Sequence, residues 1–260
     1  MSEFDHQLWS TFFGGNISMD LLVFSWLPRL LPHGVRYEGR IHEQPVCQLA
    51  RFRSGLTVLH DGYLKEQLHK KAGGNRALLA QALRAKPDDP YLLYQYGTEH
   101  QGCREFSQAA EYYRQALTGL ATSVPYEHSL LVRAIYCLCQ AGQVDAALNL
   151  VQQFEGTYKH SPDFHFAAGN VFLDKGVRDH AQALQVWLPH AVNSWRRCLE
   201  IGDQPELEGS SQGRGSFLAA FNLQVVFELL GDTEQARHFL GLAQELRGTK
   251  GSQLENEKLR

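Results

Sequence analysis

The hydrophobic pattern changes period near Pro87. Before it, apolar and polar residues form short runs, MDLLVFSW (Met19–Trp26), GVRYEGRI (Gly34–Ile41) and LTVLHDGY (Leu56–Tyr63), interrupted by Pro28, Pro32, Gly34, Pro45 and Gly55. Runs of this length, punctuated in this way, predict short strands. A helix is expected from about Leu64 to Lys86. Beyond it, apolar residues recur at helical spacing in paired segments, with small residues at fixed places, which predicts an array of helix pairs.

The clearest pair is PYLLYQYGTEHQGCREFSQAAEYYRQAL. With Pro90 as position 1, Leu93, Tyr96, Gly97, Phe106, Ala109, Tyr113 and Ala116 take positions 4, 7, 8, 17, 20, 24 and 27. These residue types resemble the 34-residue tetratricopeptide repeat; His100, at position 11, departs from it. Small residues at 8 and 20 let the two helices of a pair approach closely. Further units are expected in GQVDAALNLVQQF, SPDFHFAAGNVFL and LLGDTEQARHFLGLA. From position 8 to position 20 the residues run 97 to 109, 135 to 147, 169 to 191 and 224 to 236, gaps of 12, 12, 22 and 12. The third unit therefore holds an insertion around DKGVRDHAQALQVWLP, with AVNSWRRCLEIG as its second helix and Trp195 at position 24. EGSSQGRGS (Glu208–Ser216) lacks the preceding strand and following Lys-Ser/Thr of a phosphate loop, and it reads as a flexible connection.

Stacked helix pairs bury a continuous core and leave a groove lined by each first helix. Positions 5 and 9 place Tyr94, Thr98, Val132, Tyr136, Phe166, Asn170, Phe221 and Val225 there. This lining is aromatic and uncharged, so a clamp for an acidic peptide terminus is not expected. Only Arg133 and Asn170 stand near suitable places. The same aromatics read equally as repeat core.

Composition narrows the function classes. A chain of 260 residues with 43% hydrophobic content can bury a sizeable core, and its net charge of -3 gives no footprint for nucleic acid. The longest apolar run, LLVFSWLPRLLP, is too short and too interrupted to span a membrane, and MSEFDHQLW carries no basic leader, so a cytoplasmic location is expected. Cys47, Cys103, Cys137, Cys139 and Cys198 are odd in number and scattered, which suits reduced thiols. Cys137 and Cys139 sit two apart on a helix and diverge by about 200°, so they read as packing residues.

One stretch carries more chemistry than a surface strand needs. On a strand from Val35, Arg36, Glu38, Arg40 and His42 would share one face, with Glu43 on the other. RYEGRIHEQ, then VLHDGYL, then NRALLAQALRAKPDDPYLLYQYGTE resembles the junction in bacterial family 2 glycosyltransferases that carry a C-terminal tetratricopeptide domain. The match rests on Arg36, Gly39, Ile41, His42 and Glu43, on His60, Gly62 and Tyr63, and on Pro87–Pro90; KKAGGNR departs from the family's more direct Lys-to-Arg-Asn run. The resemblance implies sugar transfer from a nucleotide-sugar donor. Arg36, Arg40, His42 and Glu43 would stand at the active-site rim. His42 would be the ligand of a divalent cation, Mg or Mn, or together with Glu43 a hydrogen-bonding pin of the domain junction.

The resemblance also implies a division of the chain: 1–63 a remnant of a GT-A domain, 64–89 a connecting helix, 90–247 about four repeats, and 248–260 a polar tail. The fold expected is mostly α, a tetratricopeptide-type array behind a small β-containing tail. The donor-binding half would precede Met1, and no D-x-D occurs in the chain. Two readings follow. The chain is the C-terminal portion of such an enzyme, inactive and cofactor-free alone, with a GT-A half as partner. Alternatively it is a free-standing scaffold for a protein or peptide in the repeat groove.

Overall fold

A computed structural model describes residues 33–38, 44–46, 74–121 and 123–258. Strands β1 (Arg36–Glu38) and β2 (Gln44–Val46) pair antiparallel, with Arg36 opposite Val46 and Glu38 opposite Gln44. The rest of the strand expected to run to Ile41 lies outside the described residues. Arg36 and Glu38 are both exposed. The rest of the ionisable row, Arg40, His42 and Glu43, lies outside the described residues. So do MDLLVFSW and LTVLHDGY.

The remainder is helical: α1 (Gly74–Ala85), α2 (Pro90–Gly102), α3 (Phe106–Thr118), α4 (Glu127–Gln140), α5 (Val144–Phe154), α6 (Pro162–Arg178), α7 (Leu188–Ile201), α8 (Phe217–Leu229) and α9 (Thr233–Lys258). The protein is mostly α, a tetratricopeptide-type array of helix pairs. It falls into two compact units, one ending at Cys137 and the other beginning at Leu138.

The start of a first helix is written into the sequence twice. Asp89 caps α2 by accepting from the N–H groups of Tyr91 and Leu92 at 3.0 and 3.1 Å, and Pro90 follows at the first helical position. Ser161 does the same for α6, accepting from Phe164 N–H at 3.0 Å, with Pro162 behind it. Each device satisfies donors that the first turn leaves unpaired and supplies a residue with no N–H to satisfy.

In the first and third pairs, the glycine at position 8 lies under the large residue at position 24. A Cβ on Gly97 would stand 2.6 Å from a ring carbon of Tyr113, and one on Gly169 would stand 2.5 Å from Trp195 Nε1. Tyr113, Trp195 and Ala109 are fully buried. The insertion moves Trp195 along the chain without moving it off Gly169.

Three features depart from the expected array. In the third unit α6 runs on through Gly176, into the expected insertion, and ends at Arg178. A π-helical turn (Ala183–Trp187) then leads into α7, which starts three residues earlier than the sequence suggests. In the fourth unit the interior residues are Leu223 and Phe239, buried together with Trp195, separated as Gly97 and Tyr113 are. Leu240, position 24 of the expected register, is 41% exposed, and Gln224, its position 8, bonds Glu228 at the surface. The expected register is one residue late there.

The third departure is the segment expected to be flexible. Ser210, Ser211, Gly213, Gly215 and Ser216 are buried, and two carboxylates hold them. Asp203 accepts from Gly213 N–H, from Gly215 N–H at 2.8 Å and from the Ser216 hydroxyl at 2.9 Å. Asp163, in the first turn of α6, accepts from Ser211 N–H at 2.9 Å and from Arg214 Nη1 at 3.0 Å. The segment is an ordered loop.

Candidate functional site: a tyrosine and arginine face on two first helices

In the unit ending at Cys137, α2 and α4 carry the residues with the most chemistry to offer. Tyr94 stacks on Tyr126 with ring centroids 5.1 Å apart, and its hydroxyl lies 3.0 Å from Ser129 Oγ. One helical turn on, Thr98 donates its hydroxyl to Tyr94 O and stands 3.2 Å from the Tyr113 hydroxyl, which donates to Gln101 Oε1 at 2.7 Å. Gln101 Oε1 also accepts from Arg133 Nη1 at 3.0 Å, and Arg133 Nε approaches Ser129 Oγ at 3.4 Å. Tyr136 is 39% exposed, with its ring edge-on to Phe106 at 5.8 Å.

The expected groove residues therefore divide. Tyr94 and Thr98 are half-buried and Tyr136 is exposed, whereas Val132 is buried and belongs to the packing. Gln101 and Ser129 join the face although the position 5 and 9 rule omits them. The i, i+4 spacing of Ser129 and Arg133 was the available signal. Gln101 is recognised only through its partners across the helix pair.

Behind this face lies a second polar cluster. His100 is buried, and its Nδ1–H donates to Glu105 Oε2 at 2.5 Å; Arg76 Nη2 lies 2.8 Å from the same oxygen. Burial holds the His100 pKa below its ordinary value, and the Arg76 hydrogen bond holds the Glu105 carboxyl below the usual carboxylate range. The cluster ties α1 to the α2–α3 turn. That function accounts for the position-11 histidine without a ligand.

In the unit beginning at Leu138, Phe166 and Asn170 are half-buried on α6 and Phe221 on α8, while Val225 is buried. Asn222 Nδ2 stands 3.5 Å from Asn170 Oδ1, and the Arg214 guanidinium lies over the Phe166 ring at 5.8 Å. Arg214 is already neutralised by Asp163. On the other side of α6, Asp174 is buried and its pKa is pushed up to about 6, because burial outweighs the Arg178 charge and the Cys139 hydrogen bond.

Cys137, Cys139 and Cys198 are buried as free thiols, and burial pushes the Cys137 thiol up to about 12. Among the described residues no group of three His, Cys, Asp or Glu side chains could hold a metal, and no helix is long and apolar enough to cross a membrane. Of the four expected rim residues, only Arg36 is described; His42, the expected cation ligand, lies outside.

No family model and no curated protein matches the chain. Among solved structures it is similar to a crystal structure of MamA, at 15% identity and a TM-score of 0.54, over 75% of this chain and 99% of that one. MamA from Desulfovibrio magneticus RS-1, residue 41 to the end, is similar at 13% identity and a TM-score of 0.53, over 71% and 91% of the two chains. At these identities the likeness is one of fold. It agrees with the helical repeat array, and it leaves the glycosyltransferase resemblance resting on Arg36–Glu43, His60–Tyr63 and Pro87–Pro90.

Proposed function

We propose that this chain is a non-catalytic scaffold that binds a protein or peptide segment along the first helices of its repeats. The observation that carries this reading is the face formed by Tyr94, Thr98, Gln101, Arg133 and Tyr136. It joins an exposed aromatic to several hydrogen-bonding side chains on rigid helices. Rigid tyrosines give contact area at small cost in conformational entropy, and a neighbouring polar network gives direction. The partner is expected in the cytoplasm, where the reduced thiols belong. A pull-down with the full chain tests the reading. One partner retained by the wild type and lost on Tyr136→Ala or Tyr94→Ala is expected; retention of nothing, or retention indifferent to both substitutions, would count against it.

The second reading is the family 2 glycosyltransferase. It is supported by Arg36, Gly39, Ile41, His42 and Glu43 in the order the family uses, ahead of a helical repeat array. On this reading the chain supplies the rim of a site whose donor-binding carboxylates come from a GT-A half. Mixing the chain with a separately expressed GT-A half and assaying transfer from nucleotide sugars with Mn²⁺ tests it. Transfer that appears only in the mixture and falls in His42→Ala is expected, and no transfer under any combination would sink it.

A further inference from the structure

Tyr91, Tyr94 and Tyr126 form an aromatic corner where α2 and α4 begin. Tyr126 stacks on Tyr94, and Tyr91 meets Tyr126 edge-on with ring centroids 5.3 Å apart and an interplanar angle of 62°. All three are half-buried, so each keeps part of its surface open to solvent. Asp89 lies against this corner. Its Oδ1 is taken by the N–H groups of Tyr91 and Leu92, and among the described residues its Oδ2 accepts nothing. Burial and then the Asp89 charge push the Tyr126 hydroxyl up to about 12, which places the carboxylate within electrostatic reach of that ring. Asp88 is exposed beside it, and Glu127 follows Tyr126 as the first residue of α4. Among the described residues none of these three carboxylates forms an ion pair. Helix dipoles account for a carboxylate at each helix start. They do not account for three tyrosines gathered with them.

We propose that Tyr91, Tyr126 and Asp89 seat an arginine side chain of the protein or peptide that the scaffold binds. The proposal rests on the scaffold reading and deepens it. A guanidinium is attracted by an aromatic face, stacks flat on it, and can donate from its edge to a carboxylate oxygen at the same time. Asp89 Oδ2 is such an oxygen, and Tyr94, stacked on Tyr126 at 5.1 Å, holds that ring in place. An ammonium has no plane to stack, so lysine fits less well. The carboxylates repel an anion. Arg133, on the same helix, stands seven residues beyond Tyr126, about 10 Å along the axis, which is about one screening length. The corner therefore keeps its negative sign.

Arrays of randomised heptapeptides, acetylated and amidated so that the termini carry no charge, test this when probed with the labelled full chain. Retained peptides are expected to share an arginine. Replacing it by citrulline, which keeps the shape and removes the charge, should weaken binding about tenfold, and replacing it by lysine should weaken binding less. Asp89→Asn removes the charge and keeps a side chain that caps a helix start, so this variant should fold and yet lose the arginine peptides. Tyr126→Phe keeps the ring and should bind as the wild type does, whereas Tyr126→Leu should not. Retained peptides without any arginine requirement would overturn the seat and leave the scaffold reading standing, as would arginine peptides held equally by Asp89→Asn or Tyr126→Leu. No retained peptide with any form of the chain would overturn both.

Discussion

Single residues carry much of the strain and charge in this fold, and three of them give sharp predictions. Arg104 has φ 60, the one non-glycine residue at positive φ among the described residues, at the turn where the second and fourth units place Gly142 and Gly231, each at φ 77. An L side chain in that conformation costs about 1–2 kcal/mol, so Arg104→Gly should raise stability by ~1 kcal/mol after the extra chain entropy of glycine is subtracted. Urea melts would show it; a loss of stability would mean that the Arg104 side chain supplies something unseen. Gly97 has the opposite character. A Cβ there would meet the Tyr113 ring at 2.6 and 2.7 Å, and Tyr113 is fully buried, so Gly97→Ala should destabilise and Gly97→Leu more so, by about 1–3 kcal/mol or beyond. An unchanged melting temperature in either variant would contradict the packing.

Asp174 gives a pH dependence of definite sign. Its carboxyl has a folded pKa of about 6 against an ordinary 3.8, so the folded state binds the proton more tightly and stability falls as pH rises through that window. Above about pH 6 the chain carries the full penalty, roughly 2–3 kcal/mol at 1.36 kcal/mol per pKa unit. Asp174→Asn should therefore be more stable than the wild type at pH 7.5 and close to it at pH 4. Denaturation at the two pH values compares them, and a difference that did not grow with pH would refute the assignment.

At the scale of elements, what the sequence made legible was local chemistry. Asp89-Pro90 and Ser161-Pro162 mark helix starts through hydrogen bonds within three residues, and Gly97, Ala109 and Gly169 mark close helix crossings through their size. The run of α6 through Gly176 was hidden because a glycine weakens a helix interior by only about 0.5–1 kcal/mol and need not end it, and the inserted residues offered no stop before Asp179. The one-residue shift in the fourth unit was hidden because Phe239 and Leu240 are both apolar and only packing chooses between them. The order of the Ser210–Ser216 loop was hidden for a different reason, since its hydrogen bonds go to Asp163 and Asp203. Asp203→Ala removes acceptors from two N–H groups and a hydroxyl at once, and hydrogen bonds to a charged group are worth about 1.5–3 kcal/mol. Amide exchange at Gly213 and Gly215 should speed up by at least tenfold while α2 and α3 keep their protection. Unchanged exchange would show that the loop is held by packing alone. Of the candidate site, the tyrosines were legible from position. Gln101 was not, since only its hydrogen bonds with Tyr113 and Arg133 bring it to the face.

At the scale of the whole molecule, the proposed scaffold role predicts no sugar transfer by the chain alone. Calorimetry of the chain alone with nucleotide sugars and Mn²⁺ should give no saturable heat; a metal-dependent signal lost in His42→Ala would reverse that expectation. The helix pairs also differ in what fills them. Tyr91, Tyr94, Tyr96, Tyr112, Tyr113, Tyr126 and Tyr136 all lie in the unit ending at Cys137, whereas Trp187 and Trp195 lie in the other, Trp195 pressed against Gly169 and shut off from water. The two halves therefore have different colours in the ultraviolet. With Trp9 and Trp26 changed to phenylalanine, indole emission would come from the second unit alone, blue-shifted while Trp195 stays dry, and tyrosine absorbance would report chiefly on the first. One sample, read at two wavelengths, could then follow each unit through the same denaturation without an added dye.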